Sequence, residues 1–310
     1  MTRWATSDMP KQDGRSVVIT GTGGLGFQDA LALARAGADV IIAGRNPAKG
    51  EAARKEICAA VPNAHVQFEE VDLARLASIA AFAERLRNKR AKLDILINNA
   101  AVMTPPQRQT TADGFELQFG TNYLGHFALT AQLLPLLQKG DAPRVVSLSS
   151  VAARQGVIDF ADLQAERNYR PMPVYAQSKL ACLLFAFELQ RRSTAAGWGI
   201  TSIAAHPGIS RTELLTNAPG RRSVSGLMRT WLWFLFQPAA QGALPTLYAA
   251  TAPQATAGAY YGPDKFSETR GYPALAKPPV QACDTAVAAR LWDVSEQLTG
   301  IRFAPGANAA

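Results

Sequence analysis

The sequence predicts an α/β fold: one doubly wound parallel sheet that carries helices on both faces. Three observations predict it. Short apolar or β-branched runs alternate with Ala- and Leu-rich stretches of helical periodicity. A glycine-rich turn joins the first run to the first helical stretch. Finally, 310 residues, 48% of them hydrophobic and 18% charged, suffice for one large globular domain with a full core.

The predicted strands are short runs of β-branched and apolar residues. Because helical stretches separate them, right-handed crossovers must connect them into a parallel sheet. In chain order they are Ser16–Thr20, Asp39–Ala43, His65–Val71, Leu93–Asn98, Arg144–Ser149 and Ile200–Ala205. A late strand at Gly258–Tyr261, followed by Gly262 and Pro263, extends one edge of the sheet.

The predicted helices combine apolar residues at helical spacing with good helix formers. They are Phe27–Ala36, Pro47–Ala60, Arg75–Lys89, Phe115–Leu137, Val174–Arg192 and a final helix at Asp284–Leu298. No repeat or low-complexity linker interrupts the alternation, which predicts one continuous domain over residues 1–310. A polar, flexible arm is expected over about residues 1–13, and a tail over about residues 300–310.

Composition argues against several classes of protein. The net charge of +8 is spread along the chain, without the basic patch and reader motif of a nucleic-acid-binding protein. Three widely spaced cysteines fit neither a disulfide framework nor a zinc motif, which favours a reducing compartment. The chain has no signal-like start, and its longest apolar run, Trp231–Phe236, is far shorter than the ~20 residues of a membrane span. We therefore expect a cytoplasmic protein with no nucleic-acid partner and no stable membrane insertion.

The turn after the first predicted strand carries a dinucleotide-binding pattern. Gly21, Gly23 and Gly26 follow the spacing GxGxxG between a strand and a helix. Glycines let the backbone turn tightly and let a pyrophosphate approach, while the helix N-terminus offers free N–H groups. A plain glycine-rich turn is the alternative, which the position in the first βαβ unit disfavours. The turn thus predicts a Rossmann-type domain in which one loop binds the dinucleotide: Gly21, Thr22, Gly23, Gly24, Leu25 and Gly26.

The end of the second predicted strand bears on the choice of cofactor. NAD-binding sites usually place an acidic residue near this point to bind the ribose 2′-hydroxyl, whereas this chain has Gly44 and Arg45. A guanidinium can bind a 2′-phosphate through two hydrogen bonds, although a solvated arginine at a helix start is the alternative. The sequence therefore predicts that NADP is preferred over NAD.

Tyr175 and Lys179 lie four residues apart, on one face of a predicted helix. A free tyrosine has a pKa of ~10, and a cation within ~4–6 Å lowers that pKa. We therefore expect Lys179 to lower the pKa of Tyr175, so that the phenol exchanges a proton with a carbonyl or alcohol oxygen. An ordinary amphipathic helix is the alternative. It is disfavoured because Ser150 follows a strand, at the edge where open α/β sheets bind ligands.

Further motifs follow the glycine loop in a fixed order. They are Asp72–Leu73, Asn98–Ala101, Asn122–Phe127, the set of Ser150 with Tyr175 and Lys179, His206–Thr212 and Gly258–Pro263. Together they resemble the short-chain dehydrogenase/reductase family, in particular its retinol-dehydrogenase-like and protochlorophyllide-reductase-like members. The glycine loop is one residue shorter than that family's TGxxxGxG but keeps GxGxxG, so we expect dinucleotide binding to survive.

The resemblance implies a role for each site residue. Tyr175 is the acid–base group, and Lys179 lowers its pKa and binds the nicotinamide ribose. Ser150 binds the substrate oxygen, and Asn122 supports a water that relays protons towards Lys179. Beyond the glycine loop and Arg45, the implied cofactor-binding residues are Asp72, Leu73, Asn99, Ala100, Tyr175, Lys179, Pro207, Gly208, Ile209 and Thr212.

The segment of about residues 211–238 combines arginines with tryptophans and phenylalanines. In the family that the chain resembles, this region covers the substrate, which implies a lid over a lipophilic ketone, aldehyde or secondary alcohol. A core helix, a partner surface or a membrane-contacting segment are the alternatives. The resemblance also implies a homo-oligomer, a dimer or tetramer, with a monomer as the alternative.

The sequence as a whole predicts an NADP-dependent carbonyl reductase or alcohol dehydrogenase. One alternative is an enzyme that reduces an enone-type C=C bond, with Tyr175 protonating carbon. Another is a nucleotide sensor or scaffold without turnover. No metal site is predicted, because the spacing of His126 and His206 fits no ligand motif, and both histidines are interpreted as structural.

Overall fold

The computed structural model describes residues 3–210 and 237–303, in which eight strands form one sheet. The strands are β1 Ser16–Thr20, β2 Asp39–Gly44, β3 Val66–Glu70, β4 Ile95–Asn98, β5 Arg144–Leu148, β6 Thr201–Ala205, β7 Tyr260–Lys265 and β8 Arg270–Leu275. Their spatial order is β3-β2-β1-β4-β5-β6-β7-β8, and only the β7–β8 pair is antiparallel. The strand order reverses direction between β1 and β4, which confirms the predicted doubly wound α/β fold.

Helices cover both faces of this sheet. They are α1 Gly24–Arg35, α2 Pro47–Ala60, α3 Leu76–Lys89, α4 Gly125–Leu137, α5 Pro171–Ala196, α6 Ala239–Thr251 and α7 Thr285–Thr299. One hydrophobic cluster joins α1, α2 and α6 to one face, and a second cluster joins α3, α4, α5 and α7 to the other. The central strands are therefore buried on both sides, which explains why Val17–Ile19 reads as a continuous apolar run.

The helix predicted over Phe115–Leu137 is not a uniform α-helix. An α-turn at Leu117–Phe119 and a π-helical turn at Gly120–Leu124 precede α4. Turns of this kind are rare and often lie at functional sites, and this one contains Asn122.

Besides short 3₁₀ turns, one helix and one strand of the described residues were not predicted. Gly242 and Pro245 interrupt the helical pattern of α6, although both are buried within that helix. Gly271 and Pro273 disfavour a strand in the sequence pattern, but both lie within β8. This strand is at the edge of the sheet, where proline is tolerated.

The N-terminal segment packs onto the domain from its first described residues. Trp4 is buried, with its ring 5.4 Å from that of Tyr248 in an edge-to-face arrangement. The backbone N–H of Gln12 donates to the carbonyl of Ala36 at 2.7 Å. Within residues 3–13 the expected flexible arm is thus a packed segment. Nearly all of the predicted lid, residues 211–236, and most of the predicted tail, residues 304–310, lie outside the described residues.

Candidate active site

The carboxyl ends of β1, β4, β5 and β6 open into one cavity of about 860 Å³, at the point where the strand order reverses. Loops from each of these strands line it, and so does the first part of α5. The predicted site residues that line this cavity are Gly21, Gly23, Gly24, Leu25, Arg45, Asn99, Ala100, Ser150, Tyr175, Lys179, Pro207, Gly208 and Ile209.

The glycine loop forms one end of the cavity. Gly21 has a φ of +97°, and a Cβ atom there would lie 2.8 Å from Nδ2 of Asn99. Gly23 is the N-cap of α1 and provides no side-chain cap, so the first-turn N–H groups remain available to an anion. A large cavity that begins at a glycine turn and an uncapped helix N-terminus fits a dinucleotide.

Three of the predicted cofactor residues do not line the cavity. The methyl group of Thr22 packs towards Gly44, and Gly26 lies under the loop against the carbonyl of Gly21. Leu73 is buried, with its carbonyl oxygen facing Gly125.

Two other predicted residues lie in loops beside β2 and β3. Arg45 directly follows β2, is exposed and lines the cavity, so its guanidinium can reach a bound nucleotide. Asp72 is half-buried in the loop after β3, and its carboxylate accepts a hydrogen bond from the backbone of Ala74 at 3.0 Å. Thr212, predicted to bind the nicotinamide end, lies outside the described residues.

Tyr175 and Ser150 both line the cavity, and their side chains are hydrogen-bonded to each other. Tyr175 is only 6% exposed, and burial raises the pKa of its phenol to about 12. The hydrogen bond with the Ser150 hydroxyl opposes this rise in pKa without cancelling it. Ser150 also caps the short helix Val151–Gln155, accepting from the N–H of Ala152 at 3.2 Å.

Lys179 does not lower the pKa of Tyr175 as the sequence analysis expected. Its amine is buried and donates to the carbonyl oxygen of Leu148 at 3.0 Å. Burial lowers the pKa of Lys179 itself and raises that of Tyr175, and the lysine is not among the groups that shift the phenol. Desolvation, a tertiary effect that residue spacing does not contain, therefore outweighs the expected attraction.

Asn122 is fully buried, and each of its polar atoms is bound to the protein. Its side chain accepts from the N–H of Val102 at 2.7 Å and donates to the Val102 carbonyl and the Ser178 hydroxyl, both at 2.9 Å. Its carbonyl oxygen accepts from Nδ1 of His126 at 2.9 Å and from the thiol of Cys182 at 3.1 Å. This geometry makes Asn122 a positioning residue, and the water relay implied by the resemblance stays a prediction.

The wall opposite Tyr175 is the turn after β6. Gly208 has a φ of +62°, and a Cβ atom there would lie 2.3 Å from the carbonyl oxygen of Thr269. That same oxygen accepts a hydrogen bond from the N–H of Ile209 at 2.8 Å. The turn therefore takes its shape from the β7–β8 hairpin loop.

A charged cluster fastens this hairpin loop to the turn after β6 and to the short helix Val151–Gln155. Glu268 accepts from Nη2 of Arg154 at 2.7 Å and lies 3.1 Å from Nε2 of His206. Nδ1 of His206 accepts from the N–H of Gly208 at 3.2 Å, so the ring proton is on Nε2 and points to the carboxylate. Burial lowers the pKa of His206, although Glu268 opposes this, so the imidazole is neutral at pH 7. The sequence analysis missed this cluster.

Apolar residues that the sequence analysis also missed form part of the remaining cavity surface. Val102, Met103 and Pro105 follow β4, and Met172 lies at the start of α5. Their position after the carboxyl end of a central strand is a signal that could have found the β4 group. Met172 carries no such signal.

Residues 3–210 and 237–303 were also compared with the requirements of a metal site and of a membrane-spanning helix. No group of three or more His, Cys, Asp or Glu side chains there is placed to hold a metal ion. None of the helices described is both long and apolar enough to cross a bilayer.

Comparisons with known proteins agree with this geometry. A family model described as short chain dehydrogenase matches residues 15–222. Retinol dehydrogenase 13 of Mus musculus is 42% identical over 299 residues, which cover 94% of this chain and 86% of that protein.

Two solved structures have a similar fold. A protein from Mycobacterium paratuberculosis is 40% identical with a TM-score of 0.81, covering 98% of this chain and 100% of its own. A short chain dehydrogenase from Shigella flexneri complexed with NADP is 22% identical with a TM-score of 0.62, over 80% of this chain and 96% of its own.

Proposed function

The chain belongs to the short-chain dehydrogenase family of NAD(P)-dependent oxidoreductases, and we propose that it transfers a hydride between NADP and a lipophilic carbonyl compound or alcohol. The substrate class is a ketone, an aldehyde or a secondary alcohol. The observation that carries the proposal is the placement of Tyr175, Ser150 and Lys179 in one cavity with a glycine turn at its far end.

The cofactor residues divide between the two ends of the cavity. The glycine turn and the uncapped start of α1 would hold the phosphates, and Arg45 would bind the adenosine end. Lys179 and the turn Pro207–Ile209 would hold the nicotinamide end. When bound, the nicotinamide supplies the hydride, and the protein supplies orientation and electrostatic stabilisation.

The chemistry of the protein's own groups favours carbonyl reduction. With a pKa of about 12, the Tyr175 phenol is protonated at pH 7 and can donate its proton to a carbonyl oxygen. The Ser150 hydroxyl, which bonds the same phenol, can donate to that oxygen as negative charge develops on it. Because Tyr175 is buried and Ser150 is half-buried, water competes little for these hydrogen bonds.

The apolar cavity surface supports a lipophilic substrate. Val102, Met103, Pro105 and Met172 can bury alkyl or aromatic surface, and ~25 cal/mol per Å² of buried apolar area is the usual gain. The name retinol dehydrogenase given to one relative agrees with a lipophilic alcohol as its substrate.

Turnover on a panel of lipophilic ketones, aldehydes and secondary alcohols tests the proposal. We expect NADPH oxidation with at least one aldehyde or ketone, and an allylic alcohol as the product of an enone. A saturated ketone would instead establish C=C reduction. Tight NADPH binding without oxidation across the panel would favour the sensor or scaffold.

The preference for NADP is tested separately by Arg45→Ala. We expect wild type to bind NADPH more tightly than NADH, and Arg45→Ala to narrow that gap by about tenfold, because a guanidinium–phosphate pair is lost. Arg35→Ala, an exposed position at the far end of α1, is the matched control. Equal affinities in wild type would contradict the assignment. The cytoplasmic location and the oligomeric state stay predictions.

A further inference from the structure

His126 is a buried imidazole that lies between two segments of the cavity. Only 4% of the residue is exposed, on the first turn of α4. Its Nε2 is 2.9 Å from the hydroxyl of Thr20, at the end of β1, and its Nδ1 is 2.9 Å from the carbonyl oxygen of Asn122. One ring therefore connects the strand that leads into the glycine turn with the π-helical turn.

The partners determine which nitrogen carries the proton. The carbonyl oxygen of Asn122 can only accept, so Nδ1 of His126 is the donor. Burial lowers the pKa of His126 to about 4, so Nε2 has no proton at pH 7 and accepts from the Thr20 hydroxyl. This donation leaves the Thr20 oxygen to accept from the backbone N–H groups of Asn99 and Ala100, at 2.9 and 3.0 Å.

Both ends of this hydrogen-bond chain hold the same cavity segment. Thr20 fixes the backbone of Asn99 and Ala100, which line the cavity beside the glycine turn. Asn122 fixes the backbone of Val102, which lies on the apolar side of the cavity. Residues 99–102 therefore take their shape from two anchors, and the imidazole connects the anchors.

We propose that His126 is a positioning residue that sets residues 99–102 for cofactor binding through Thr20 and for turnover through Asn122. This inference rests on the proposed function, because the turnover half has meaning only for an active enzyme. A histidine that merely stabilised the fold would not separate the two effects.

Two substitutions each keep one of the two hydrogen bonds of the His126 ring and remove the other. The side-chain amide of asparagine can reach the Nδ1 position, and that of glutamine can reach the Nε2 position. His126→Asn should therefore keep the bond to Asn122 and lose Thr20, whereas His126→Gln should keep Thr20 and lose Asn122. His65→Asn, at an exposed histidine, is the matched control.

We expect each lost hydrogen bond to change one parameter. His126→Asn should weaken NADPH binding roughly five- to tenfold with kcat within about threefold of wild type. His126→Gln should lower kcat roughly five- to tenfold with the NADPH Kd within about threefold. Equal losses of both parameters in both variants, or no loss in either, would overturn the proposal.

A measurement on wild type keeps the inference testable if a variant does not fold. Nitrogen NMR of the histidine rings should show His126 as the Nδ1–H tautomer, without titration between pH 5 and 8. An Nε2–H tautomer or a charged ring at pH 6 would overturn it. If wild type turns over no substrate, the proposed function fails by itself, while NADPH titration of His126→Asn still tests the Thr20 half.

Discussion

The two walls of the cavity are built by different means. The wall that carries Tyr175 is a regular helix, and its backbone is further bonded by nearby hydroxyls, such as that of Ser178 to the carbonyl of Tyr175 at 2.8 Å. The wall that carries Gly208 is a turn held by a hairpin loop, in which Phe266, Ser267 and Glu268 all have φ between +50° and +66°. L-residues rarely adopt this region, and three in succession carry backbone strain.

The two walls also differ in how far apart in the sequence their hydrogen-bonded residues lie. The hydroxyl of Ser178 bonds a carbonyl three residues away, whereas Glu268 bonds His206 and Arg154 across 62 and 114 residues. The proposed proton donor, Tyr175, thus lies where local helix geometry fixes it. The opposite wall is held by bonds between residues far apart in the chain, and the contacts of Glu268 must offset the strain of its own loop.

The strongest test of the Tyr175 wall removes its phenolic hydroxyl. Tyr175→Phe should lower kcat/KM for carbonyl reduction by at least ~10²-fold, because the proton donor is lost, while NADPH affinity stays within about threefold. Tyr272→Phe, at a tyrosine outside the cavity, is the control. Full activity of Tyr175→Phe on any accepted substrate would show that another group transfers the proton.

The pH dependence of alcohol oxidation and of carbonyl reduction is a second test of the role of Tyr175. Because burial raises the pKa of Tyr175 to about 12, the phenolate needed for alcohol oxidation is scarce at pH 6. We expect kcat/KM for oxidation to rise roughly tenfold per pH unit from pH 6 to 8, and that for reduction to change less than about threefold. Oxidation that is flat over this range would mean that the phenol already ionises below pH 6.

The Gly208 wall is tested by Glu268→Gln. Burial alone would raise the pKa of Glu268, but hydrogen bonds from His206 and the Lys277 backbone, with the charge of Arg154, lower it to about 2. A lowered pKa means that this stability is present above pH ~4.5 and is lost as pH falls towards 2. We expect Glu268→Gln to lose about 1–3 kcal/mol of unfolding free energy at pH 7. Below pH 4.5, its unfolding free energy should fall less steeply with decreasing pH than that of wild type.

The control for that variant is Glu84→Gln, at an exposed carboxylate on α3. If Glu268→Gln left both thermal stability and kcat unchanged, the two walls would not differ in the way that the hydrogen bonds indicate. A larger loss of kcat in Glu268→Gln than in Tyr175→Phe would show that the Gly208 wall matters more for turnover than the Tyr175 wall.

The smallest effect is expected away from both walls, at Asp29 on α1. Its side chain is fully buried, neither carboxylate oxygen has a hydrogen-bond partner, and burial raises its pKa well above the usual value. Because the pKa of Asp29 is raised, its carboxylate destabilises the fold increasingly as pH rises above the ordinary value of 3.8. Asp29→Val should therefore raise Tm more at pH 8 than at pH 5, by about 2 °C or more at pH 8. Asp29→Asn, which removes the charge and keeps the shape, should show the same pH trend.

Turnover should not change in either Asp29 variant. If it fell, an unsatisfied group outside the two walls would also contribute to the reaction. A larger gain in Tm at pH 5 than at pH 8 would contradict the direction of the pKa shift.

The sequence predicted what depends on local pattern. The central strands were found because they are buried on both faces, and the glycine turn and the pair of Tyr175 and Lys179 were found because their spacing is short. Ser150 was found because it follows a predicted strand. Helix α6 was not found, because Gly242 and Pro245 are residues that disfavour a helix prediction. Contacts that the fold brings together could not be read from spacing at all.

Three particulars show that limit. Glu268 joins residues far apart in the chain, and no residue type around it marks a left-handed loop. The pKa of Tyr175 depends on burial, which outweighs a lysine four residues away. The two nitrogens of His126 have partners on separate elements, so the ring was interpreted as structural only.

The most direct test of the central claim is a crystal structure of the protein with bound NADP. We expect the 2′-phosphate beside Arg45, the pyrophosphate at the start of α1, and the nicotinamide between the Gly208 turn and the Tyr175 hydroxyl. A nicotinamide ring that lies away from that hydroxyl, or a phosphate that does not contact the glycine turn, would contradict it.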